Sequence, residues 1–134
     1  MISQKSDIKN QKQPKNSKFE VKYRAFYLSI NVIKFSCTLE KEDYLRIISD
    51  QLIRCVTSIG ANIVEAKASS SKKEFLNYFQ IALRSANETN YWLAMLKELL
   101  PSRRNELDNF IKEVTEISKI IGTSILTMKG KRSL

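Results

Sequence analysis

The sequence predicts an all-α protein, an antiparallel up-down-up-down four-helix bundle. Three observations carry this. The 134 residues include only three Gly and two Pro, and no Pro falls between Phe19 and Leu100; a sheet would need many turns, whereas long helices need few breakers. Apolar residues recur at spacings of three and four over four successive stretches, which is the helical period. The stretches are joined by short connections, as antiparallel neighbours in a bundle are. The length suits one domain with one core.

Residues 1–18 are rich in Lys, Gln, Asn and Ser, with Pro14 in the middle. They carry too little apolar surface to offset the entropy of ordering, so they read as a disordered basic arm. Lys5, Lys9 and Lys12 would share one face if a partner made the arm helical. The bundle is expected over 19–128 and a second basic tail over 129–134.

The first helix is expected from Phe19 to Cys37, burying the stripe Phe19, Tyr23, Phe26, Tyr27, Ile30, Ile33 and Cys37, with Val32 and Phe35 widening the buried face. The acids Glu40, Glu42 and Asp43 then suit the first turn of a following helix, where the helix dipole favours negative charge. The second helix, Glu42 to Ala68, carries a heptad seam of Leu45, Ile48, Leu52, Cys55, Ile59, Asn62 and Ala66, so its partner should lie nearly aligned rather than crossed. Gly60 inside it costs about 1 kcal/mol relative to Ala. Close approach of a neighbouring helix would explain it; a tolerated weak spot is the alternative.

Ser71 and Glu74 form a capping box that opens the third helix. That helix shows two stripes. One is Phe75, Phe79, Ala82, Ala86, Thr89, Leu93, Leu96 and Leu100; the other is Tyr78, Ile81, Ser85, Glu88, Trp92, Met95 and Leu99. A face this wide packs against more than one neighbour. Pro101 ends the third helix or opens the fourth. The fourth buries Leu107, Phe110, Ile111, Val114, Ile117, Ile121, Ile125 and Met128. Ile120 and Leu126 fall off its stripe and hint at self-association, although scattered surface hydrophobes are common.

The formal net charge is +9. Residues 1–24 hold seven Lys/Arg and two acids, residues 129–134 hold three basic residues and no acid, and the rest is nearly balanced. Basic ends contact nucleic acid or anionic surfaces, or serve only as solvated tails. Cys37 and Cys55 sit in helical apolar patterns and read as buried thiols, not a disulfide. The polar N-terminus has no signal-peptide core and no apolar run reaches membrane-spanning length, so a cytoplasmic location away from membranes is expected.

The absence of His removes His-based triads and the Glu-x-x-His iron sites that make bundles catalytic. Two Cys without His cannot build the common zinc sites, and no phosphate-cradling Gly motif occurs. The expectation is a protein that is not an enzyme, with no metal and no cofactor.

Two stretches are more specific. They contain Gln51-Leu52, Arg54, Ser58-Ile59, Asn62-Ile63 and Glu65, then Ser71-Lys72-Lys73-Glu74-Phe75, Ile81-Ala82, Ser85, Glu88 and Trp92-Leu93. In this register the chain resembles the four helix bundle protein family, also called the intervening-sequence or S23 family, whose members include proteins encoded in insertions of large-subunit ribosomal RNA genes. The match covers the second and third helices well and the outer two weakly. Ala66 stands where the family usually has Gly, Gly60 where Pro is common, and Val64 where Ala is usual; these bear on the exit of the second helix. The resemblance implies a homopentameric barrel of bundles with no established catalytic residues. It includes the accessory variability determinant of diversity-generating retroelements, similar pentamers that bind nucleic acid and a reverse transcriptase through basic surface.

Two sets of site residues follow. Arg54, Ser58, Asn62, Glu65, Ser85 and Glu88 read as a polar network, with Arg54, Asn62 and Glu88 fixing helix register or a subunit interface; an anion site around Arg54 is the alternative. Nucleic-acid contacts are expected from Lys5, Lys9, Lys12, Lys15, Lys18, Lys22 and Arg24, from Lys67, Lys72 and Lys73 at the turn between the second and third helices, and from Lys129, Lys131 and Arg132. The expected function is RNA or DNA binding by a homo-oligomer. The other reading is a scaffold for a reverse transcriptase or another nucleic-acid enzyme, without direct nucleic-acid contact.

Overall fold

The computed structural model describes residues 21–133, with side chains as far as residue 130. Four helices follow one another: α1 (Val21–Ser36), α2 (Asp43–Lys67), α3 (Lys72–Leu99) and α4 (Arg104–Ser133), with a 3-10 turn at Pro101–Arg103 before α4. No strand occurs among the described residues. The basic segment expected as a tail after residue 128 continues α4 instead. Residues 1–20, the expected arm and Phe19 of the expected first stripe among them, lie outside the described residues.

Neighbours are antiparallel, because their contacts pair rising with falling residue numbers. Ser29 Oγ donates to the Val56 carbonyl, while Ala25 packs at Gly60. Ser58 meets Ser85 and Cys55 meets Thr89 across α2 and α3. Asn90 meets Thr115 and Lys97 meets Asp108 across α3 and α4. The bundle closes where Arg24 of α1 binds Glu113 of α4 and Phe35 stacks edge-on to Phe110 at 5.6 Å.

The core of α2 follows the expected seam. Leu45, Leu52, Ile59 and Ala66 are buried, and Ile63 takes the inward place expected for Asn62, which is only half-buried. In α3 the stripe from Phe79 to Leu96 is the core, and the second stripe is half-buried except at Glu88 and Leu99, which are exposed. In α4 Leu107, Val114, Ile117, Ile121 and Ile125 face inward.

α1 buries a different stripe from the expected one. Val21, Ala25 and Leu28 are inside with Val32 and Phe35, the two expected to widen the face, whereas Tyr23 and Phe26 are 47% and 56% exposed. Size decides this. A Cβ built on Gly60 would lie 3.4 Å from the Ala25 Cβ, so the backbones of α1 and α2 approach too closely for an aromatic ring between them. Gly60 therefore marks a close helix crossing.

α3 opens with its capping box in place. Glu74 N donates to Ser71 Oγ at 3.1 Å, and the Glu74 carboxylate accepts from Ser70 N at 3.1 Å. The reciprocal bond falls one residue earlier than in the simple box.

Candidate nucleic-acid interface

Antiparallel order with four helices brings the start of α1, the α2–α3 turn and the end of α4 to one end of the bundle. Basic side chains follow that topology. Lys67 closes α2, Lys72 and Lys73 open α3, and Lys129 lies in the last turns of α4. Lys67, Lys73 and Lys129 are exposed and Lys72 is half-buried. A shallow groove of about 400 Å³ runs between α3 and α4 here, with Lys73 and Lys129 on its walls beside Asn77 and Gln80. Glu74 also borders it and offsets part of the charge. Lys22, one residue into α1, extends over the Tyr23 ring with Nζ 5.1 Å from its centre. Clusters separated by some sixty residues in sequence are thus neighbours in space. Lys5, Lys9, Lys12, Lys15 and Lys18 lie outside the described residues, as do the side chains of Lys131 and Arg132.

Arg24 does not belong to this surface. It is 6% exposed and bound to two carboxylates of α4. Its Nε and Nη2 donate to Glu113 at 2.9 and 2.6 Å, and Nη2 also donates to Glu116. The Glu113 bond, then that of Glu116, raises the Arg24 pKa against the opposing effect of burial. The same pairing holds the Glu116 carboxyl below its ordinary range. Helical phase explains the difference: Arg24 sits beside Ala25 on the inward stripe, so its charge must be paired within the protein. Sequence reasoning missed this clamp because its partners are about ninety residues away. The one available signal was a charged residue on what proves to be the core-facing side of α1.

The six polar seam residues divide by charge. Asn62 Nδ2 donates to Ser58 Oγ at 3.0 Å and to the Ser58 carbonyl at 2.8 Å, and Ser85 Oγ donates to Ser58 Oγ at 2.9 Å. One turn further, Thr89 Oγ1 lies 2.7 Å from the Ser85 carbonyl and 3.2 Å from Cys55 Sγ. These groups bridge α2 and α3. Arg54, Glu65 and Glu88 are instead exposed. Glu88 accepts from Trp92 Nε1 of its own helix at 3.1 Å, and no ion pair joins it to Arg54 among the described residues. The expected Arg54–Asn62–Glu88 network is therefore corrected to a neutral Ser58–Asn62–Ser85 bridge. A hydroxyl or amide can be satisfied half-buried at modest cost, whereas an unpaired charge there is expensive, so helix rotation leaves the charges in water.

Cys55 is buried, and burial pushes its thiol pKa up. Cys37, expected to be buried, is exposed just past the end of α1. Among the described residues no His/Cys/Asp/Glu group could hold a metal, and no helix is long and apolar enough to cross a membrane.

The far end of the bundle has a different character. Several of its cations are engaged: Lys97 with Asp108 at 2.7 Å, and Arg103 with Glu106, with Thr38 and over the Phe35 ring.

These features define a helical-bundle protein with a neutral polar bridge between its central helices and a basic end. The chain belongs to the 23S rRNA-intervening sequence protein family, whose model matches residues 17–123. Among solved structures, it is similar to a protein of unknown function from the S23 ribosomal protein family of Bacteroides thetaiotaomicron. The two are 33% identical with a TM-score of 0.74, over 81% of this chain and 96% of that one. A search of curated proteins finds no match.

Proposed function

We propose that this protein is a non-catalytic, cytoplasmic homo-oligomer, a pentamer as in the resemblance noted from the sequence, that binds RNA or DNA through its basic end. The convergence of Lys67, Lys72, Lys73 and Lys129 with the root of the Lys-rich arm carries this reading. Such a surface contacts phosphates rather than base edges, so binding has little sequence preference and falls steeply with salt. Assembly multiplies weak contacts by avidity, since each protomer presents the same end. Self-association is supported by the large side chains left outside the core: Tyr23 and Phe26 on α1, Tyr44 and Ile47 on α2, and Leu126, 71% exposed, on α4.

Fluorescence anisotropy with labelled RNA and DNA at two salt concentrations tests the reading. Binding at low salt that weakens steeply at higher salt is expected. Absence of binding at low salt would overturn it in favour of a scaffold for a reverse transcriptase or other nucleic-acid enzyme.

A further inference from the structure

The end of the bundle away from the basic surface holds an open cleft of about 470 Å³ under the α1–α2 connection. Its rim carries Glu40, Glu42, Asp43 and Asp50 against two cations, Lys41 and Arg46. Arg46 is taken up at 3.7 Å by Asp43, which leaves Glu40, Glu42 and Asp50 outside any ion pair of the described residues. Leu39, Leu45 and Ile53 supply apolar wall. Ser49 of the lining is 9% exposed, and Ser36 Oγ is buried without a hydrogen-bond partner among the described residues. An apolar wall under a carboxylate rim matches a lysine side chain, whose methylene stem packs on hydrocarbon while its ammonium donates to oxygens.

We propose that this cleft binds alkylammonium side chains and that its occupant is the chain's own basic arm, through Lys5, Lys9 and Lys12. Charge complementarity and reach select that occupant. The arm enters α1 at the opposite end, and the 16 residues of α1 separate the two ends by about 24 Å at ~1.5 Å per residue. Extended chain covers about 3.3 Å per residue. Lys12, nine residues before Val21, therefore reaches about 30 Å, and Lys9 and Lys5 reach further. Lys18 reaches only about 10 Å by the same measure and cannot arrive. The site lies at the other end from the proposed phosphate-binding surface and does not depend on that reading.

Zero-length carbodiimide cross-linking of the full chain, mapped by mass spectrometry, tests the proposal, because it joins only lysines and carboxylates already in contact. Cross-links from Lys5, Lys9 or Lys12 to Glu40, Glu42 or Asp50 are expected, with none from Lys18 to the cleft. They should vanish in molar salt. In a Glu42→Gln/Asp50→Asn variant the cross-links to the untouched Glu40 should also fall. Trypsin should cut after Lys9 and Lys12 faster in that variant, relative to cutting after Lys18. Arm cross-links confined to Glu65 and Glu74 near its root, or spread over all carboxylates, would overturn the proposal. So would cross-links that join isotopically distinct copies after labelled and unlabelled chains are mixed through denaturant.

Discussion

At the scale of single residues, Arg24 is the most consequential side chain outside the apolar core. Arg24→Ala would leave Glu113 and Glu116 without their cation, and breaking a buried pair in this way costs about 3–5 kcal/mol. The exposure of both glutamates at the rim should place the loss at the lower end; a shift in the urea midpoint measures it. Arg24→Met keeps the bulk and should recover part of the loss. Acid should weaken the same clamp. Because Arg24 holds the folded Glu116 pKa below its ordinary value, its contribution is present above the unfolded carboxylate pKa and disappears as pH falls through the lowered folded one. Glu116 is 54% exposed, so the contribution is under about 1 kcal/mol. Glu116→Gln should accordingly cost little at pH 3 and more at pH 7, read as urea midpoints at the two values. Glu88→Ala should melt within about 0.5 kcal/mol of the parent, as surface substitutions do. Asn62→Leu should cost more, because Ser58 would lose a donor inside a half-buried bridge.

At the scale of elements, the close crossing of α1 and α2 makes Gly60 a sharp probe. Gly60→Ala places a Cβ in ordinary contact with Ala25 while gaining helix propensity, so it should be neutral or stabilising by up to about 1 kcal/mol. Gly60→Leu must push α1 away and should destabilise by about 1–3 kcal/mol. Thermal melts of the two variants separate these outcomes. α1 also shows where reading from sequence stops. For α2, α3 and α4 the 3–4 spacing singles out one face, because polar residues occupy most of the rest. α1 carries apolar residues nearly all round, so spacing alone fits both the aromatic stripe and the smaller Val21–Ala25–Leu28–Val32 stripe. The choice belongs to Gly60, a residue of another helix. The same limit hid the Arg24 clamp, and it exchanged the charged seam residues for their neutral neighbours. The capping box at Ser71 was legible because both of its partners are local.

At the scale of the whole molecule, the basic surface is a product of topology rather than of any one segment. Lys67, Lys72 and Lys73 are adjacent in sequence, and their turn could be read directly. Their meeting with Lys129 required the direction of every helix to be known. A variant with all four changed to Gln should keep its fold, since none is in the core, and should weaken RNA or DNA binding while flattening its dependence on salt by up to about one logarithmic unit per phosphate contact removed. Anisotropy titrations over a salt series check this. The topology also has a practical side. The last described helical residue stands on the same side of the bundle as the α2–α3 turn, so a purification handle or fluorescent fusion on the C-terminus hangs over the lysines. Immobilising the protein by such a handle would turn that side toward the support and hide it from ligand. A handle inserted at the Pro101–Arg103 turn would present it to solution instead.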